Sequence, residues 1–316
     1  MNVVSLFDGI SCGKVALERA NIKVNRYVAY EIDKYASAIS KYNFPAIEHN
    51  GNVVDSDFTQ YKGFDLVIGG SPCQDLSIAK SNRKGLKGEK SRLFFEFVRA
   101  LNEIKPKYFL FENVASMSKE SRNTISRYLS VEPIMINSAL VSAQHRKRLY
   151  WTNIPNVTQP KNKNILLKDI LVSELPYQDK SYCLKARYPG ATFVHDFIKK
   201  QNSMIAEPLR IGNVGYSKGQ ANRVYSVKGK SVCLNANGGG LGAKTGLYKI
   251  DLPNGNYYIR KLTPLECERL QTLPDDYTKY GIHLGKKIDI SNAQRYKCLG
   301  NGWTVDVIVH ILKNIK

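Results

Sequence analysis

Phe64-Asp65-Leu66-Val67-Ile68-Gly69-Gly70-Ser71-Pro72-Cys73-Gln74 is the stretch on which the reading of this chain turns. The apolar run Leu66–Ile68 reads as a short strand, buried on both faces. Two glycines then permit a sharp turn, and Pro72 stiffens the backbone just before a thiol. A side chain at the carboxyl end of a parallel strand faces the crevice where open α/β sheets bind ligands. Cys73 is therefore a candidate nucleophile. An inert buried cysteine is the plainer reading of the pair alone, so the neighbouring segments have to decide.

Outward from that run, Val3–Phe7, Tyr27–Glu31, Tyr108–Phe111, Ile134–Asn137 and Leu149–Thr152 read as further strands. Gly13–Ala20, Lys34–Tyr42, Leu93–Ile104 and Asn123–Leu129 carry helical patterns between them. This alternation predicts an α/β fold with a parallel sheet covered on both faces. The rhythm stops near Pro155. From there to about Ile259 the chain is rich in Gly, Asn, Lys and Tyr, which predicts a smaller β-rich domain. Within it Lys180-Ser-Tyr-Cys-Leu-Lys-Ala186 and Lys230-Ser-Val-Cys-Leu-Asn-Ala236 are near copies, either equivalent strands or a chance likeness of short heptads. Helical periodicity returns at Pro264–Gln271 and Thr304–Leu312. The last helix is apolar along Val305, Ile308, Val309 and Leu312 and needs a core. Docking on the N-terminal sheet would make the larger domain discontinuous.

A chain of 316 residues with 43% hydrophobic content can bury one large core and a smaller one. The formal net charge of +20 points to a polyanionic partner, nucleic acid first. A basic protein from a lysine-rich proteome is the plain alternative. Cys12, Cys73, Cys183, Cys233, Cys267 and Cys298 form no CxxC pair, and the five histidines complete no zinc pattern, so no metal is expected. That cysteine density suits a reducing cytoplasm rather than a disulfide framework. There is no signal-like leader and no run of about 18 apolar residues, so a cytoplasmic location without a membrane partner is expected.

Phe7-Asp8-Gly9-Ile10-Ser11-Cys12-Gly13 follows the first strand and opens a helix. Its glycines let a ligand approach the backbone, and the helix start offers free N–H groups. Tyr30-Glu31-Ile32-Asp33 ends the second strand with a carboxylate suited to ribose hydroxyls. The full G-x-G-x-x-G is missing, so a nucleoside without pyrophosphate fits better than a dinucleotide; an ordinary tight turn is the plainer reading. Phe111-Glu112-Asn113-Val114 ends another strand. Glu112 could act as general acid or hold a protonated ring nitrogen, or simply be a solvated acid. In Gln144-His145-Arg146-Lys147-Arg148 the alternate residues Arg146 and Arg148 point one way, with Gln144 beside them. Such a pair suits phosphates or carbonyl oxygens; a solvated basic strand edge would look the same.

Taken in order, these segments resemble the cytosine-5 DNA methyltransferase family of bacterial and phage type. The matching motifs are Phe-x-Gly-x-x-x-Gly at 7–13, Pro-Cys-Gln at 72–74, Glu-Asn-Val at 112–114 and Gln-x-Arg-x-Arg at 144–148. Arg260-Lys-Leu-Thr-Pro-Leu-Glu-Cys-Glu-Arg-Leu-Gln-Thr-Leu-Pro274 resembles the segment that orients the recognition domain. Gly300-Asn301-Gly302-Trp303-Thr304-Val305 resembles the final cofactor-binding segment. Ser71–Met117, with Arg92-Leu-Phe-Phe-Glu-Phe97, is also similar to the animal de novo methyltransferases. The resemblance covers residues 3–155 and 258–315.

That resemblance implies a Rossmann-like methyltransferase domain, 1–155 plus 295–316, using S-adenosyl-L-methionine. It implies a smaller β-rich target-recognition region at 156–294, of which 156–259 is variable and 260–274 is the orienting motif. The reaction implied is methyl transfer to carbon 5 of a cytosine flipped out of a specific double-stranded DNA sequence. Cys73 would add to carbon 6, and needs positive charge nearby to be nucleophilic. Glu112 would donate at N3, Arg148 would hold O2, and Arg146 would steady the active-site loop and DNA. For the cofactor, Asp8, Gly9, Ile10, Ser11, Cys12 and Gly13 would surround the amino acid moiety, with Phe7 near the adenine. Glu31 would bind the ribose, Ile32 would pack on adenine, and Leu93, Asn301 and Trp303 would complete the pocket. Many relatives carry Gly-Asp where this chain has Gly51-Asn52; the Asn52 amide oxygen can still accept from the adenine amino group.

The basic segment after Cys73, with Lys80, Arg83, Lys84, Lys87, Lys90 and Arg92 around Gly85 and Gly88, could close over the strand, or be a solvated loop. Gln74, Ser77, Lys80, Arg83, Lys84, Lys87 and Gln144 are the expected DNA contacts on the catalytic side. Arg187, Arg223 and Lys244 are those in the recognition region, with Lys218, Gln220 and Lys228 beside them. A cognate restriction endonuclease would be the protein partner in a restriction-modification system; target sequence and oligomeric state are not legible. A tRNA cytosine-5 methyltransferase on the same fold is disfavoured, because its Cys-Phe-Thr tripeptide is absent. A catalytically silent DNA-binding relative is disfavoured by intact Cys73, Glu112, Arg146 and Arg148, and a Rossmann oxidoreductase by the missing dinucleotide loop.

Overall fold

The computed structural model describes residues 1–72, 93–172, 206–215, 219–236, 239–251 and 257–315. Seven strands form its central sheet: β1 (Asn2–Leu6), β2 (Arg26–Tyr30), β3 (Glu48–Asn50), β4 (Leu66–Gly69), β5 (Tyr108–Val114), β6 (Ile134–Asn137) and β7 (Lys147–Thr152). They stand in the order β3-β2-β1-β4-β5-β7-β6. Among the described residues four α-helices lie between these strands: α1 (Cys12–Arg19), α2 (Lys34–Asn43), α3 (Phe94–Ile104) and α4 (Lys119–Leu129).

Strand alternation sorts the core into two layers. Val3, Tyr27, Ala29, Leu66, Ile68 and Leu110 face a layer that includes α1 and α2. Val4, Leu6, Val28, Val67, Phe109 and Phe111 face the other, covered by Phe94 and Phe97 of α3 and by Ile125 and Leu129 of α4. The α/β class with both faces covered is therefore as expected.

The sheet is mixed rather than wholly parallel. β1 to β5 run parallel, but β7 is antiparallel to both β5 and β6. Residues 138–146 alone join β6 to β7, too few for a parallel crossover, which needs about a dozen or more. The reversal matters to the site. β7 starts at the edge where β5 ends, so Arg148 stands opposite Val114 and Tyr150 opposite Glu112.

The smaller sheet comprises β8 (Arg210–Asn213), β9 (Arg223–Ser226), β10 (Leu247–Asp251) and β11 (Tyr257–Arg260), in the order β11-β10-β9-β8. The heptad Lys230–Ala236, read as a candidate strand of that sheet, is instead a strap on the larger half. Ser231 N donates to Ala143 O at 2.7 Å and His145 N to Ser231 O at 2.9 Å. The buried Lys230 ammonium donates to Ser142 O at 2.8 Å and to Ile165 O. Buried carbonyls on the large half thus claim the donors of this heptad. Its near copy at 180–186 lies outside the described residues.

The remaining elements are α5 (Pro264–Leu270), the hairpin β12 (Tyr280–His283) and β13 (Lys286–Asp289), α6 (Asn292–Asn301) and α7 (Val305–Leu312). α5 starts in a capping box: Thr263 Oγ1 accepts from Glu266 N at 3.2 Å, and Glu266 Oε2 accepts from Thr263 N at 2.8 Å. α7 buries Val305, Val307, Ile308, Ile311 and Leu312 and packs on α1, where Arg19 and Asp306 pair at 3.1 Å. Among the described residues no helix is long and apolar enough to cross a membrane.

Candidate active site

Glu112 lies near the carboxyl end of β5 and is buried. Both of its oxygens are held. Arg148 Nε lies 2.9 Å from Oε1, and Trp303 Nε1 donates to Oε2 at 3.0 Å. The tryptophan comes close because residue 70 is glycine: a Cβ there would stand 3.0 Å from Glu112 Oε2 and 3.3 Å from Trp303 Nε1. Next in the chain, Asn113 Nδ2 donates to Ser71 O at 3.3 Å. That bond fastens the turn after β4 to the end of β5, directly before Pro72. Cys73 follows, and with Gln74, Ser77, Lys80, Arg83, Lys84, Lys87 and Arg187 it lies outside the described residues.

Arg146 and Arg148 do converge, on the sulfur of Cys233, at 3.4 Å from Arg146 Nη1 and 3.9 Å from Arg148 Nη2. Their other contacts differ. Arg148 reaches Glu112, whereas Arg146 is buried and donates to Gly300 O (3.2 Å), Gly302 O (3.0 Å) and Leu234 O (3.3 Å). Its charge is taken up by the backbone that leads to Trp303, so it clamps that turn and is not open to DNA. Gln144 also departs from expectation. It is fully buried, accepts from Leu234 N at 3.3 Å and bridges to Ser231. In this structure it is a packing partner of the strap, not a surface for DNA. Arg223, at the start of β9, and Lys244, before β10, are half-buried on the smaller sheet.

The expected cofactor residues gather at the same edge. Phe7, Gly9 and Ser11 all have left-handed backbone, with φ of 56°, 62° and 60°. For Phe7 and Ser11 that conformation costs energy. The Asp8 carboxylate offsets it by accepting from the hydroxyls of Ser5, Ser11 and Tyr27. Burial pushes the Asp8 carboxyl up, and those three hydroxyls pull it partly back. Asp8 is thus an internal tie of the loop. Glu31 accepts from Gly9 N at 2.8 Å and Asp33 N at 2.7 Å, and burial pushes its carboxyl up as well. Beside it Ile32 is 78% exposed, an apolar face free for a flat ring.

Other members sort into lining and core. Trp303 packs over Gly13, where a Cβ would lie 3.6 Å from its ring. Leu93 is half-buried against the second core layer, and Asn301 is exposed at the end of α6. Ile10 is only 1% exposed and belongs to the core. The Cys12 thiol is buried and pushed up to about 12, so it is inert. Asn52 caps its own turn: Oδ1 accepts from Val54 N at 3.2 Å and Nδ2 donates to Asp55 at 3.1 Å. Its oxygen accepts one local bond and keeps a second lone pair for another donor. Among the described residues no three His, Cys, Asp or Glu side chains cluster to hold a metal. Sequence reasoning missed three positions: Trp303 as a donor to Glu112, Asn113 as the tie to Ser71, and Cys233. Asn113 adjoins Glu112 in its motif, so that signal was present.

The sequence model of the family described as C-5 cytosine-specific DNA methylase matches residues 1–316. The chain is 30% identical to the type II methyltransferase M.HhaI of Haemophilus parahaemolyticus, over 100% of this chain and 94% of that protein. It is 27% identical to the orphan methyltransferase M.SPRI of Bacillus phage SPR, over 100% and 97%. Among solved structures it matches the Entamoeba histolytica methyltransferase EhMeth with a TM-score of 0.67 at 19% identity, covering 99% of this chain and 97% of that one. The S. pombe Dnmt2 methyltransferase follows with a TM-score of 0.64 at 16% identity and the same coverage. At those identities the two structures speak for the fold alone.

Proposed function

The chain belongs to the C-5 cytosine-specific DNA methylase family, and on that footing we propose that this S-adenosylmethionine-dependent DNA cytosine-5 methyltransferase works through a covalent adduct between Cys73 and a cytosine flipped out of a specific duplex sequence. The observation that carries the reading is the buried Glu112, gripped by Arg148 and Trp303 and tied through Asn113 to the turn that leads into Cys73.

The Cys73 thiolate adds to carbon 6 of the ring, and the electron pair it brings makes carbon 5 nucleophilic. Addition is easier when N3 receives a hydrogen bond or proton, the task assigned to Glu112. Arg148 steers that carboxyl and offers guanidinium N–H to the base oxygen O2. S-adenosylmethionine would supply the electrophilic methyl group, which carbon 5 takes as its bond to the sulfonium sulfur breaks and S-adenosylhomocysteine leaves. A base then takes the carbon-5 proton, the sulfur–carbon bond breaks, and the thiolate is regenerated. Glu31 offers carboxylate lone pairs to the ribose, Ile32 an apolar face to the adenine, and Trp303 a wall near Gly13. The left-handed loop at residues 7–11 leaves its backbone close to that space.

A base paired inside a duplex cannot reach a buried carboxylate, so the reaction requires flipping. The net charge of +20 favours the DNA partner. Residues 156–259 are assigned to target recognition and 260–274 to its orientation, with 1–155 and 295–316 as the catalytic part. Arg223 and Lys244 are retained as contacts of the recognition side. In keeping with the type II name of one relative, a restriction endonuclease reading the same sequence is the protein partner to seek.

Bisulfite sequencing of DNA from cells expressing the chain identifies the methylated site. On that site, Cys73→Ala should abolish methyl transfer while S-adenosylmethionine still binds. The wild type should form a stable adduct with duplex DNA carrying 5-fluorocytosine, from which the final proton cannot be removed. An active Ala variant, or no adduct, would end the covalent reading.

A further inference from the structure

Cys233 stands where the strap of the smaller half crosses the start of β7. Its S–H donates to Leu234 O at 3.5 Å, while its sulfur accepts from Arg146 Nη1 at 3.4 Å and Arg148 Nη2 at 3.9 Å. A thiol has one weak donor and a weakly accepting sulfur, so this one is fully engaged. We propose that Cys233 is a positioning residue for methyl transfer, whose sulfur sets the angle at which Arg148 meets Glu112. The proposal rests on the catalytic reading of Glu112 and Arg148 given above.

A guanidinium is a rigid plane, so fixing points around its rim fixes its tilt. Arg148 is held at Nε by Glu112 Oε1 at 2.9 Å, at Nη1 by Lys147 O at 2.9 Å, and at Nη2 by Cys233. The Nε and Nη2 contacts share one edge of the plane, so the sulfur sits beside the carboxylate on that edge. With Glu112 as the pivot at Nε, the sulfur at Nη2 limits how far the plane can swing about it. Arg146 donates to the same sulfur at 3.4 Å, and being buried it has little room to give way.

The sulfur itself is held by backbone, not by a long side chain. Ser231 and His145 exchange the strap's bonds with the large sheet, and Leu234 N donates to Gln144. Three residues on, Ala236 lies against Gly300 so closely that a Cβ on that glycine would stand 2.4 Å from Ala236 N. Two cations side by side also repel. Burial alone pushes the Cys233 thiol up, but the two arginines outweigh it and bring it below its ordinary value.

The test compares Cys233→Ala, Cys233→Ser, Arg148→Ala and the Cys233→Ala/Arg148→Ala double variant in steady-state methylation, with melting temperatures in parallel. Cys233→Ala should lower kcat about tenfold, with KM for S-adenosylmethionine within about twofold and melting unchanged. Cys233→Ser restores a donor and an acceptor and should recover most of the loss. In the Arg148→Ala background the Cys233→Ala change should add nothing, because its effect passes through that arginine. Unchanged kcat in Cys233→Ala beside a large loss in Arg148→Ala overturns the positioning role and leaves the catalytic reading standing. Full activity of Arg148→Ala overturns that reading itself. Fully additive losses, or a Ser variant as impaired as Ala with lowered melting, make Cys233 a packing residue and also overturn the proposal.

Discussion

β5 of the large sheet is buried along all seven of its residues, whereas β8 of the small sheet exposes Arg210, Ile211 and Gly212. The large sheet is covered by side chains on both faces, and on one face Phe111 alone packs on Phe94, Phe97 and Trp151, with ring centroids 5.3, 4.8 and 5.8 Å away. The small sheet relies more on its ladders, the Tyr225–Tyr248 ring pair at 6.0 Å and the strap that follows β9. The difference separates two tasks. A carboxylate that must sit at one angle needs a strand that cannot move, and interiors packed on both faces provide that. A surface that must meet a ligand has to leave side chains uncovered.

The comparison breaks first at the core. Phe111→Ala should cost about 3–5 kcal/mol by urea denaturation, with activity lost through a displaced Glu112. A cost near zero would mean that the large sheet is no tighter than the small one.

The next effect is pH-dependent and concerns the join between the halves. Burial lowers the Lys230 ammonium from 10.5 to about 8. Below about pH 8 the side chain is charged in both folded and unfolded chains, and the fold bears the full cost of burying that charge. Between about pH 8 and 10.5 the unfolded chain holds the proton and the folded one does not, so this group's contribution improves as pH rises. Wild type should therefore gain roughly 2–3 kcal/mol on Lys230→Met between pH 7 and pH 10. A constant gap between the two proteins would show the ammonium to be solvated and the strap loosely seated.

Gly300→Ala probes the same join sterically. The new Cβ would meet Ala236 N and Cα at 2.4 and 2.7 Å, backbone atoms that cannot rotate aside. Overpacking of about 1–3 kcal/mol should appear as a lower melting temperature. Smallest of all, Ile211→Ser on the exposed strand should change stability by less than about 0.5 kcal/mol. A larger loss would mean that Ile211 is covered in solution.

Much of this was legible in the sequence, for identifiable reasons. β6 runs over Ile134–Asn137 as its apolar pattern suggests, and α7 returns to α1 because its stripe needed a partner. β3 escaped because Glu48-His49-Asn50 is short and polar. α6 escaped because its buried face contains a cation: Arg295 is satisfied at 2.9 Å by the buried Glu268, which no apolar count detects. The direction of β7 was hidden because a period of two reads the same both ways. At the site, the motifs located Glu112, Glu31 and the loop at residues 7–11, but not which oxygens the protein itself consumes. The local partners of Asp8 and Asn52 are invisible without coordinates. Cys233 meets arginines more than 80 positions earlier in the chain, and no local pattern announces that.

The packing of α7 on α1 also sets a schedule. All seven strands of the large sheet have been synthesised by Thr152, but α7 begins only at Val305. At about 5–20 residues per second, roughly 8–30 s of translation separate the two. Throughout that interval α1 lacks the cover that α7 provides. The smaller sheet is made in the same window, so the strap reaches the large half while the seam is still open. A nascent chain stalled before Val305 would carry a finished sheet beside an unsealed apolar seam, and chaperones and quality-control proteases would meet it there first.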